Sequence, residues 1–150
     1  MYNKTEKWAF RYALTSANGN EVEKVCYPQS KEQIEKNKEA CKKHGYRFIS
    51  CTKLYPFNTY KNQHNFELIN NICSNRMYDM DMGEVKYDEA EYNRLESLKE
   101  KAETLRCLPL PTAWIPWDLW KDAKELSEMA ILHRQNACIE AGRYDLVQYC

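Results

Sequence analysis

The hydrophobic period changes along this chain, and that change limits the folds open to it. From Lys7 to Ala13 the period is two. Trp8, Phe10 and Tyr12 point one way and Lys7, Ala9 and Arg11 the other, as in a half-buried strand. Beyond Asn58 the period is helical. Phe66, Ile69, Cys73, Met77 and Met80 recur at steps of three and four, and Tyr92, Leu95, Leu98, Ala102 and Leu105 do the same. A chain carrying both patterns in separate blocks is an α+β protein: an N-terminal ββαβ unit, a three-stranded antiparallel-type sheet with one helix, then a region of three helices. The boundary falls between 1–57 and 58–150, and the halves are expected to pack as one compact domain.

Punctuation residues set the element ends. Asn18-Gly19 is a hairpin signal, and Glu21 to Tyr27 pairs back as a second strand at the sheet edge. Ser30-Lys31-Glu32-Gln33 is a capping box opening a helix to about His44, with Gly45 as its left-handed stop. Tyr46 to Phe57 is the third strand. Asn58 or Thr59 caps a helix to about Met82, broken by Gly83. Asp88-Glu89-Ala90-Glu91 opens the next, to about Arg106, and the short connection favours an antiparallel hairpin. Leu108 to Trp120 holds three of the five prolines and three of the four tryptophans, which excludes helix until Asp118, a good N-cap. The last helix presents Leu119, Ala123, Leu126, Ala130, His133 and Ala137 and stops at Gly142. A short strand or turn follows from Tyr144 to Cys150.

Composition narrows the class. Hydrophobic residues make up 43% and charged residues 29% of the 150, a globular balance. No apolar run nears the roughly 18 residues of a membrane span, and the polar stretch from Met1 to Phe10 is not a secretory signal. We therefore expect a cytoplasmic protein with no membrane association, whose seven cysteines are reduced thiols that mostly pack as small hydrophobes.

Enzyme signatures are missing. There is no phosphate-binding glycine loop, nucleophile elbow or His-Glu-x-x-His, and the four glycines read as turns or helix stops. Cys41, His44 and Cys51 lack a fourth zinc ligand. Asp79-Met80-Asp81-Met82-Gly83-Glu84 begins like a calcium loop, but its glycine falls one position early and Ala90 stands where the last carboxylate belongs. No cofactor or metal is expected. An enzyme or small-ligand binder would need a pocket gathering His64 or His133 with a cysteine or carboxylate. His133, on an apolar stripe, reads instead as a hydrogen-bonded core histidine.

Charge and aromatic placement carry the functional expectation. Met1 to Gln63 holds 12 basic and 6 acidic residues, and the rest of the chain reverses the balance with 10 and 16. Asp79, Asp81, Glu84, Asp88 and Glu91 crowd the helical hairpin with Tyr78, Tyr87 and Tyr92 interleaved. Carboxylates on a rigid hairpin can imitate nucleic-acid phosphates and occupy a basic groove on another protein. Trp114, Trp117 and Trp120, framed by prolines, would be rigid anchors if exposed, for a partner or for a homodimer. The expectation is a non-enzymatic binding protein: a small phage or mobile-element inhibitor or accessory protein, anti-CRISPR-like, acting on a nucleic-acid-handling complex.

The alternative is direct DNA or RNA binding through Lys7, Arg11, Lys24, Arg47 and Lys53 on the strands, with Trp8, Tyr12, Tyr27 and Tyr55 stacking on bases. The hairpin followed by Ser30-Lys31-Glu32-Gln33 resembles the N-terminal arm-binding modules of mobile-element integrases, and the resemblance implies a nucleic-acid contact there. The third strand follows the helix here instead of preceding it, a departure from that pattern.

Overall fold

β1 (Lys7–Thr15) pairs antiparallel on one side with β2 (Glu21–Cys26) and on the other with β3 (Arg47–Asn58). The computed structural model describes residues 6–150. It is a mixed α+β structure, 59% helical and 22% strand. The sheet has four strands in the order β2-β1-β3-β4, with β4 at Thr112–Pro116. The expected three-stranded sheet is thus corrected: the proline-rich segment supplies a short outer strand, where a residue without an N–H is tolerated. β3 runs on through Pro56 to Asn58, beyond the described pairing of Lys7 with Leu54.

The chain divides into two compact units, one running to Pro56 with Trp114–Trp117, the other formed by Phe57–Ala113 and Asp118–Cys150. In the first unit, Trp8, Phe10 and Tyr12 share the face that packs against α1 (Lys31–His44), where Ile34 and Cys41 complete a buried cluster. Burying one such aromatic ring stabilises by roughly 1.5–3 kcal/mol. The first half of the capping box forms, Ser30 Oγ accepting from the Gln33 N–H at 3.2 Å, while Gln33 Oε1 reaches past the cap residue and accepts from the Gln29 N–H at 2.8 Å. Between Arg11 and Tyr12 the register skips Ile49, an extra residue that bulges β3 at mid-sheet.

In the second unit, α2 (Thr59–Asp81) packs along α3 (Glu89–Arg106). Tyr92 meets Asp81 and the Arg94 charge acts on Cys73, a pairing order that makes the hairpin antiparallel. Asn58 caps α2 by accepting from the Lys61 N–H at 2.8 Å, and Asp88 caps α3 by accepting from Glu91 at 3.2 Å. The Thr59 hydroxyl donates to the Pro109 carbonyl at 2.6 Å, tying the start of α2 to the proline-rich segment. Phe66, Ile69, Cys73, Leu95, Ala102 and Leu105 are buried, as both stripes require.

α4 (Trp117–Glu140) starts one residue before Asp118, so Asp118 is not its N-cap. Its stripe is buried at Ala123, Leu126 and Ala130 only. His133 and Ala137 are exposed, which corrects the core-histidine reading. A 3-10 helix (Tyr144–Tyr149) takes the place of the expected strand or turn. Among the described residues, no helix is long and apolar enough to cross a membrane.

Candidate partner-binding surface

The end of α2 is built by hydrogen bonds that leave its side chains pointing outward. Gly83 takes the left-handed conformation at φ 77, which lets the Glu84 N–H donate to the Asp79 carbonyl at 2.9 Å and the Gly83 N–H to Met80 at 3.3 Å. This is the Schellman arrangement, which satisfies the terminal carbonyls and turns the chain sharply. Five residues later Asp88 caps α3. A tip held at both ends in this way presents Tyr78, Met82, Val85 and Tyr87 to solvent at 61%, 60%, 52% and 55% exposure. Four large apolar side chains are thus exposed within ten residues, and contiguous apolar surface is what marks interaction sites.

The expected acidic residues separate here into different roles. Asp79, Asp81 and Glu84 have no ion-pair partner among the described residues, though Asp81 accepts from the Tyr92 hydroxyl at 3.4 Å. Burial and the neighbouring Asp81 charge hold that hydroxyl above the usual tyrosine range. Asp88 is engaged as the α3 cap. Glu91 is paired within its own helix. Arg94 grips it with two hydrogen bonds, Nη2 to Oε1 at 2.6 Å and Nε to Oε2 at 2.9 Å, which hold its carboxyl below the usual glutamate range. Lys86 is the one base of the tip itself, so negative charge prevails there.

The three tryptophans differ in exposure and in what they touch. Trp114 is half-buried, with the Lys7 ammonium 4.8 Å from its ring centre. Trp117 is 47% exposed and meets Tyr55 edge-on at 5.3 Å. Trp120 is half-buried under Lys124, at 5.3 Å.

The basic residues of the sheet are also divided. Residues opposite each other on antiparallel strands share a face. Lys53 lies opposite Trp8 and Lys24 opposite Tyr12, on the α1 side, while Lys7, Arg11 and Arg47 belong to the other face. Glu21 holds Arg47 through both ends of its guanidinium, and Lys53 lies 3.4 Å from Glu6. A single basic sheet surface is therefore corrected to Lys7 and Arg11, beside a shallow groove of about 180 Å³ that includes Arg11, Tyr27, Leu54 and Trp114. Sequence alone could not make this division, because it depends on strand register.

Among the described residues, no group of three or more His, Cys, Asp or Glu side chains could hold a metal ion. His64 is exposed on α2, 3.4 Å from Glu67, and His133 is exposed on α4. Sequence reasoning passed over Met82 and Val85, whose exposure is set by the folded turn at Gly83. No family model matches the chain, and no curated protein and no solved structure is significantly similar to it.

Proposed function

We propose that this chain is a non-enzymatic binding protein whose α2–α3 hairpin tip seats on a basic surface of a protein partner. In its most specific form the partner is a nucleic-acid-handling effector complex, and the chain is a small phage or mobile-element inhibitor of the anti-CRISPR kind. One observation carries the reading. Tyr78, Met82, Val85 and Tyr87 are exposed around a hydrogen-bonded turn beside Asp79 and Glu84, which have no ion-pair partner among the described residues. Tyrosine and methionine are enriched in interface cores, and flanking carboxylates steer a basic partner and fix its register.

The test is affinity capture from a cell lysate, with and without nuclease, using the native chain and a variant carrying Tyr78→Ser, Met82→Ser, Val85→Ser and Tyr87→Ser. The reading expects a protein partner that survives nuclease, weakens with added salt and is lost with the variant. Equal capture by the variant, or capture abolished by nuclease, overturns it.

A second reading, direct nucleic-acid binding, draws support from Lys7 and Arg11 lying on one sheet face with Tyr27 and Trp114. Phosphate contacts from this face would give salt-dependent affinity for single-stranded oligonucleotides that Arg11→Ala weakens. No oligonucleotide shift at low salt removes it.

A further inference from the structure

We infer that Cys138 and Cys150 form an oxidisable dithiol, a modification site at which a hydroperoxide joins the two sulfurs and clips the C-terminal tail to the end of α4. Their sulfurs lie 3.8 Å apart, and both side chains are half-buried.

The approach is built by the backbone. Gly142, at φ 73, ends α4 as Gly83 ends α2. The Arg143 N–H donates to the Cys138 carbonyl at 2.8 Å and the Gly142 N–H to Ile139 at 3.0 Å. The chain therefore reverses at a fixed angle. Arg143 then pairs with Asp145 through two hydrogen bonds of 3.2 and 3.1 Å, and the 3-10 helix returns Cys150 to the last turns of α4. There its thiol also reaches the Leu146 carbonyl at 3.5 Å. A disulfide needs about 2.03 Å between sulfurs, so the pair must close by roughly 1.8 Å, within reach of side-chain rotation.

The reaction balances with one hydroperoxide. A thiolate of the pair attacks the peroxide oxygen and the O–O bond breaks, leaving a sulfenic acid and, from hydrogen peroxide, water. The second thiolate attacks the sulfenic sulfur, the S–O bond breaks, and the departing hydroxide takes the remaining proton. Two thiols and one hydrogen peroxide become one disulfide and two waters, each sulfur giving up one electron. Burial first, then the bond with Cys150, pushes the Cys138 thiol up.

The experiment treats the reduced chain with one equivalent of hydrogen peroxide and maps the product with trypsin. Cleavage at Arg134 and Arg143 leaves the two cysteines on separate peptides, Gln135–Arg143 and Tyr144–Cys150, which travel together only when bridged. The bridged pair is expected as the first product, forming at least about tenfold faster than any other cysteine pairing. It should be reversed by dithiothreitol, absent in Cys138→Ser and in Cys150→Ser, and lose its preference in denaturant. Sulfenic or sulfinic acid accumulating on unlinked peptides overturns the inference. So does a dominant cross-link between copies through exposed Cys107, or an undiminished preference in denaturant.

Discussion

Replacing Ser127 with alanine should make the protein more stable. Ser127 lies on α4 between the buried Leu126 and Ala130 positions, at 6% exposure, and its hydroxyl is buried with no hydrogen-bond partner among the described residues. A buried hydroxyl that exchanges water for nothing costs about 1–3 kcal/mol. Ser127→Ala removes that penalty at the expense of a cavity one heavy atom in size, and alanine adds roughly 0.5 kcal/mol of helix preference. The net expectation is a gain of about 1–2 kcal/mol, raising Tm by about 2–8 °C for a chain of this size. Urea and thermal unfolding followed by circular dichroism read both quantities. A loss of about 1 kcal/mol or more would refute the reasoning, because it would mean that the hydroxyl satisfies a backbone carbonyl of its own helix.

Other expectations concern the hairpin. Leu95→Ala removes a side chain that is 1% exposed and should cost about 2–5 kcal/mol in denaturant unfolding. A loss below about 1 kcal/mol would mean that the α2–α3 seam is not packed as described. The Glu91 carboxyl is held low chiefly by its hydrogen bond to Arg94, so the pair's support of the first turn of α3 is complete above the ordinary glutamate range. That support is lost as pH falls through the lowered value. Carboxyl NMR titration should give Glu91 a depressed midpoint that returns to the ordinary value in Arg94→Gln; an unchanged midpoint removes the pair. Asp88→Ala should weaken the α3 N-terminus by about 1 kcal/mol while Asp88→Asn keeps most of the cap, as thermal melts will show.

The features legible in the sequence are those whose cause is local. Ser30, Asn58 and Asp88 cap helices with their own side chains, and Gly45 and Gly83 stop them, so three helix starts and two ends are readable within a few residues. The buried stripes of α2 and α3 follow from period alone. β4 was not legible, because its five residues carry no clear alternation and acquire strand character only from β3. The stripe of α4 was over-read at His133 and Ala137, since periodicity continues past the point where anything covers the helix.

The same division runs through the candidate site. A count of acids found the tip region, but net charge concealed the Glu91–Arg94 pair, although the two stand only three residues apart. The Arg47–Glu21 contact joins positions 26 apart and depends on strand register, which composition does not encode. Exposure of Met82 and Val85 is likewise a property of the folded turn.

Hydrogen-exchange protection of this chain on binding its captured partner tests the central claim most directly. The account predicts slowed exchange concentrated between Tyr78 and Asp88, with β1 and β3 unchanged. Protection centred on the strands that carry Lys7 and Arg11, with the hairpin tip still exchanging freely, would contradict it.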